Sequence, residues 1–336
     1  MRSRWSWIPS LYFAEGLPFV AAMTVSVIMY KRLDISNAAI AFYTSWLYLP
    51  WIIKPLWSPL VDLLSTRRNW IIVMQLLIGA AFAAIALTIP GDNFFRFTLA
   101  AFWQVAFSSA THDIAADGFY ILALDDHDQA WFVGIRNTFY RLAMITGQGL
   151  LVMVAGWLET STGKVPLAWS VTFYLLAAIY VLLFAWHRRA LPRVADDVAG
   201  AAGSLRSLLA KFVATFVDFF RKKHVGKILA FLLLYRLAEA QLVKLASPFL
   251  LDDTGAGGLG LGTAQVGFVY GTIGALMLTL GGIAGGMLAA RHGLRYWLWW
   301  MAVAINVPNA VYILLAVLRP ESFVLINIAV GIEQLG

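Results

Sequence analysis

The sequence predicts an all-α membrane protein of two six-helix halves related by a pseudo-twofold axis, with the chain truncated within about the tenth of twelve helices. Three observations predict this. Of 336 residues, 61% are hydrophobic and 13% charged, and the mean hydropathy is +0.76; soluble domains carry about 25% charged residues. Apolar runs near the ~20 residues that cross a bilayer recur at 7–30, 38–60, 70–89, 96–122, 132–156, 168–187, 226–251, 265–289, 296–318 and 323–336. The parts before and after one long polar segment also repeat each other. Phe13-Ala-Glu-Gly corresponds to Leu237-Ala-Glu-Ala, the loop Ser58 to Asp62 to Gly286 to Gly293, and the His112-Asp113 region to Glu333-Gln334, all at nearly the same offset. Parallel six-helix repeats are a transporter architecture.

Each element has its own signal. Arg2 and Arg4 precede the first run, but Glu15 and Pro18 interrupt it and no small-x-small cleavage site follows, so it reads as a spanning helix rather than a removed leader. The loops with Arg67 and Arg68, with Arg188, Arg189 and Arg193, and with Arg291 and Arg295 alternate with loops of scattered cations. The positive-inside rule puts the basic loops and the N-terminus in the cytoplasm. Pro50, Pro55 and Pro59 predict kinks in the second helix. In the segment 191–225, Leu205, Leu208, Leu209, Phe212, Phe216 and Phe219 share a helical face ahead of a basic cluster, which suits a helix lying on a lipid surface or packed on the protein. The domains expected are 1–190, the linker 191–225, and 226–336.

Within the fourth run, Phe107 to Tyr120 holds His112, Asp113 and Asp117. A charge at the bilayer centre costs roughly 2.5–3.5 kcal/mol on insertion scales, so such residues face a cavity or a partner. Asp113 and Asp117 are i and i+4, stacked on one helix face. Two close carboxylates away from water resist ionising together, which is the chemistry of a proton carrier; the alternative is a charge pair that locks helix to helix. Glu15, Lys54, Arg136, Arg141, Arg236, Glu239, Lys244 and Glu333 are further ionisable groups inside apolar runs. A water-accessible cavity between the halves accommodates both signs.

Arg141, two to three turns into the fifth run, is expected to pair with Asp113 as the coupling pair, with a substrate carboxylate competing for its guanidinium. Lys54 has no acid in its own run, so its partner is Glu15 or an anionic substrate. Glu15 is a second candidate proton carrier, and His112 could join the same path. Arg236 and Glu239, at i and i+3, are expected to pair within their helix; with Tyr140 they complete the candidate substrate contacts. His127, His187, His224 and His292 fall at predicted helix ends or loops, so no metal ligand set converges. No cysteine is present, which removes thiol catalysis and zinc-thiolate sites. Net charge +7 reads as positive-inside bias, so nucleic acid is not an expected partner.

The loop Gly286-Met-Leu-Ala-Ala-Arg291-His-Gly293 resembles the Gly-x-x-x-Asp-Arg-x-Gly signature of the major facilitator superfamily, with Ala290 in place of the acid. The resemblance implies that Asp62, Arg67, Arg68 and Arg291 belong to a cytoplasmic gate. Gly16-Leu-Pro18, Lys54, Trp57-Ser-Pro-Leu-x-Asp62, Ser109-Ala-x-x-Asp113-Ile-x-x-Asp117 and Tyr140-Arg-Leu-x-Met144 further resemble the AmpG-type muropeptide permeases, relatives of the acetyl-coenzyme A transporters. That resemblance implies proton-driven import of anhydromuramyl sugars, with or without peptide, across a bacterial inner membrane.

The expected protein is thus a monomeric multi-pass transporter whose partners are a small-molecule substrate, protons and the lipid bilayer, with no cofactor. A transporter of another solute (sugar, siderophore or acyl-coenzyme A) is the alternative on the same scaffold. A polytopic enzyme on lipid-linked sugars would hold its acids in extramembrane loops, whereas here they concentrate inside the spans.

Overall fold

The computed structural model describes residues 3–200, 210, 213–214, 217–234, 237–292 and 294–335. Arg2, Arg236, Gly293 and the amphipathic positions Leu205, Leu208, Leu209, Phe212 and Phe216 lie outside the described residues, and with Arg236 goes the expected Arg236–Glu239 pair. Among the described residues ten helical rods can be followed: α1 (Arg4–Arg32), α2 (37–64), α3 (Arg67–Thr88), α4 (Phe94–Ala123), α5 (Asp126–Thr162), α6 (Val165–Ala190), α7 (Val225–Leu234 and Leu237–Leu251), α8 (263–292), α9 (294–318) and α10 (Phe323–Leu335). Each falls on one expected apolar run. Leu87, Ile121, Leu182, Leu233, Trp299 and Val317 are all more than 60% exposed, as side chains facing lipid tails are.

Three prolines break α2. The chain turns at Leu47 and Tyr48 ahead of Pro50, tightens to a 3-10 turn over Lys54–Leu56 around Pro55, and restarts as Ser58–Leu64 with Pro59 in its first turn. A ring that removes the N–H and crowds the carbonyl four residues back permits little else. The rod α5 starts six residues before its apolar run. Asp125 caps it, its carboxylate accepting the Asp128 N–H at 2.8 Å, and this hydrogen bond holds the Asp125 carboxyl below its ordinary range. A polar first turn suits a helix N-terminus but is invisible to hydropathy. Arg4 reaches across to pair with Asp128.

The core of the first half lies between α3, α4 and α6, where the fully buried Phe82, Phe102, Phe173 and Tyr180 pack with ring centroids 5.5–6.0 Å apart. In lipid this close packing, not apolar transfer, holds helices together. Single π-turns interrupt α1 at Ala21–Val25, α5 at Thr146–Leu151 and α8 at Val269–Gly274. The latter two cross where Gly149 and Gly271 bring their backbones into contact.

Polar contacts join the two halves at the end of the rods near Lys31 and Asp252. Asp252 pairs with Lys31 and accepts from Asn37 Nδ2 at 2.8 Å. Glu159 accepts from Arg32 Nε at 3.1 Å, Trp169 Nε1 at 2.8 Å and, across the halves, Thr263 Oγ1 at 2.6 Å. Gly156 packs on Ala264 nearby. A hydrogen bond to a charged group contributes about 1.5–3 kcal/mol. Asp252→Asn should therefore raise the alkylation rate of a cysteine substituted for Ala264 about tenfold; an unchanged rate would mean that the clamp does not hold this end shut.

Candidate functional site

Five charged side chains from four rods meet inside the first half. Glu15 lies eleven residues from Arg4 on α1, Asp113 eleven from Leu124 at the end of α4, Lys54 eleven from Ser65 beyond α2, and Arg136 eleven from the Asp125 cap of α5. At 1.5 Å per residue each is about 16 Å from the same end of the bundle, so these four lie at one depth, well inside the rods.

Helix periodicity stacks Asp113 and Asp117, and α1 brings Glu15 beside them, so that carboxyl oxygens of all three lie within 4.8 Å of one another. The 3-10 turn in α2 delivers Lys54 to Asp113, with which it pairs. Asp117 accepts from Arg136 at 2.7 Å and from the Tyr12 hydroxyl at 3.2 Å. The Arg136 guanidinium sits 4.4 Å over the Tyr12 ring and 5.1 Å from that of Tyr120, a cation–π arrangement that fixes its plane. Gly16 lets α1 and α5 touch: a Cβ there would meet the Tyr140 carbonyl at 2.9 Å and its ring at 3.3 Å. Glu15 Oε2 is buried with no hydrogen-bond partner among the described residues.

The cluster thus holds three carboxyls and two cations. Fully ionised it carries one uncompensated negative charge in a low-dielectric setting, where an unpaired charge is costly. One proton or one small cation restores balance. The carboxyl oxygens of Glu15, Asp113 and Asp117 are the group that could hold either.

The structure changes several expected contacts. Asp113 is met by Lys54 and not by Arg141, which corrects the expected coupling pair, and Lys54 finds Asp113 where Glu15 or substrate was expected. Because α5 starts at Asp126, the residue at the depth of the acids is Arg136; Arg141 is exposed, its guanidinium nitrogens 3.6–3.7 Å from where a Cβ on Gly282 of α8 would lie. Among the described residues Arg141 makes no hydrogen bond or ion pair. Tyr140 lies half-buried between it and Gly16, and Glu239 is half-buried on α7.

His112 faces away from the acids. It is fully buried, with Nε2 3.0 Å from Gln75 Nε2, and the same amide nitrogen lies 2.8 Å from Nδ1 of His187. His187 Nε2 continues to Ser10 Oγ at 2.9 Å. His187 was expected at a helix end or loop; it lies in the last turn of α6, and is fully buried there. This network ties α1, α3, α4 and α6 together, and Gln75 within an apolar run is the signal that sequence reasoning passed over.

At the same end, Asp62 pairs with Arg67 at 2.7 Å, and the Arg67 side chain crosses α4 over Gly118. Asp197 of the linker accepts the Arg67 and Arg68 backbone N–H groups at 2.7 and 3.0 Å, and Arg68 donates to the Arg188 carbonyl at 2.7 Å. The linker thereby caps α3. Arg291 lies exposed on α8.

The sequence profile of the Major Facilitator Superfamily matches residues 10–334. The anhydromuropeptide permease of Escherichia coli (strain K12) is 29% identical over 313 residues, covering 91% of this chain and 60% of its own length. This chain therefore spans less than two thirds of that relative. The putative transporter AmpG 4 of Rickettsia conorii is 26% identical, with 96% of this chain and 76% of its own length covered. Among solved structures, a bacterial homologue of the human lysosomal transporter Spinster, inward-facing and unoccupied, superposes with TM-score 0.72 at 16% identity, covering 98% of this chain and 72% of that one. The D-xylose-proton symporter superposes with TM-score 0.64 at 13% identity, over 97% and 78%. With ten helical rods among the described residues, charges gathered inside them at one depth and a profile that spans nearly all of its length, the chain belongs to the major facilitator superfamily.

Proposed function

We propose that the protein is a proton-coupled secondary transporter that imports muropeptides or related anhydromuramyl amino-sugars by alternating access. Its membrane would be a bacterial inner membrane, with the N-terminus in the cytoplasm. The observation that carries the reading is the cluster of three carboxyls against two cations, balanced when it holds one proton. In this reading, with the basic loops cytoplasmic, the clamped end faces outside and the state is inward-facing. Likeness to a relative named anhydromuropeptide permease supports the substrate class.

Arg141 supplies the substrate contact in this reading. It is exposed between the halves, and its planar fork suits the carboxylates of a muropeptide. Replacing it by Gln should raise KM for an anionic substrate about tenfold to a hundredfold, the equivalent of one charge-assisted hydrogen bond. An unchanged KM would remove Arg141 from the binding site.

The direct test is uptake of labelled anhydromuropeptide by full-length protein in proteoliposomes under an imposed inward proton gradient, beside glucose and acetyl-coenzyme A and with sodium absent. Gradient-dependent accumulation of the muropeptide alone is the expected result. Accumulation that needs sodium would overturn proton coupling, and accumulation of another solute would overturn the substrate.

A further inference from the structure

Lys244 is an ionisable residue that the central cluster leaves unused. It sits on α7, seven residues from Leu251, about 10 Å from the clamped end. Its ammonium donates to the carbonyls of Met23 and Thr44, each at 3.3 Å. Both acceptors belong to the other half, and both come from irregular backbone. Met23 lies inside the π-turn of α1, whose shifted pairing releases a carbonyl from the helical ladder. Thr44 lies in the last turn before the break in α2, its carbonyl shared with the Leu47 N–H at 3.2 Å.

Among the described residues no carboxylate pairs with Lys244. Two carbonyl dipoles satisfy two of the three ammonium donors and leave the charge itself uncompensated. In a membrane, a cation in that position has a functional reason by default. The seam it bridges is the one that must part if the clamped end opens. Parting would strip Lys244 of both carbonyls at once and leave an ammonium facing the opened mouth.

We propose that Lys244 is an anion-receiving group of the state open at the clamped end, an inference that rests on the transport reading above. In that state it holds a carboxylate or similar anionic group of the entering solute. As the halves close, the Met23 and Thr44 carbonyls take the ammonium back, and the solute passes inward to Arg141. The site exists on one side of the cycle only, because the backbone replaces the solute in the other.

The test compares KM for labelled anhydromuropeptide presented at the outer face with KM at the inner face, in proteoliposomes of full-length protein with fixed orientation. Lys244→Gln should raise the outer KM about tenfold, the loss of one charge-assisted hydrogen bond, and leave the inner KM unchanged. Lys244→Arg should keep both near wild type. These 336 residues contain no native cysteine, so Lys244→Cys allows chemical rescue: coupling an aminoethyl group restores an ammonium and should restore the outer KM, whereas coupling a sulfonatoethyl group should not. An equal rise at both faces, no rise at either, or equal effects of the two reagents would overturn the proposal. Absence of muropeptide uptake by the wild type would overturn the transport reading, and this inference with it. Wild-type uptake with symmetric variants would overturn this inference alone.

Discussion

Asp113→Asn is expected to abolish gradient-driven accumulation while exchange of solute across the membrane continues. The reason is charge arithmetic. With Asp113 permanently neutral, Glu15 and Asp117 face Lys54 and Arg136, two acids against two cations, and the cluster no longer needs a proton to balance. One pH unit is worth about 1.4 kcal/mol per proton, so the wild type should concentrate solute about tenfold per unit of gradient and the variant should equilibrate it. The same arithmetic makes a second variant informative. Adding Lys54→Gln leaves two acids against one cation, and proton uptake by the cluster should return, measured as pH change on substrate addition to lightly buffered protein. Accumulation retained by Asp113→Asn would sink the coupling role of the cluster; a double variant that binds no proton would sink the charge-balance account of it.

Gly271→Val is expected to prevent closure of the clamped end. The π-turns of α5 and α8 cross with the Gly149 and Gly271 backbones in contact, and a Cβ on Gly271 would fall on the Gly149 Cα. Backbone on both sides leaves nothing soft to move, and overpacking of this kind costs about 1–3 kcal/mol, a fivefold or greater loss of the closed population. Alkylation of a cysteine at Ala264 should rise accordingly and turnover should fall with it, whereas Gly262→Ala, in the nearby loop with no close backbone opposite, should behave as wild type. If the valine variant is alkylated at the wild-type rate, α5 and α8 do not meet there in the working protein.

Much of this was legible before any coordinates. Composition and run length determine the rods because the bilayer demands about twenty apolar residues per span and full internal hydrogen bonding of each. The stacking of Asp113 on Asp117 is equally local, a property of helix periodicity. Asp62 and Arg67 stand close in sequence as well as in space.

Pairing between rods was a different matter. Lys54 and Asp113 are 59 residues apart, and their meeting depends on how far the proline break rotates α2, which no periodicity encodes. Asp117 with Arg136 turns on where α5 begins. The six residues Asp126 to Trp131 at its start, four of them polar, move the depth scale, and Arg136 and Arg141, five positions apart, point roughly 140° away from each other around the helix; one lies against the acids and the other toward α8. His112 beside Asp113 shows the same effect at a single step, one side chain in the carboxyl cluster and its neighbour in the Gln75–His187 network. The cross-half contact of Lys244 needs a π-turn and a helix break on two other rods. Sequence by itself determined where the helical rods fall, the kinds of charge they carry and the local stacking of the acids, because those follow from solvent and from the helix. Which charge meets which was decided only by tertiary structure, because it is set by the rotation, breaks and starting points of whole rods packed against one another.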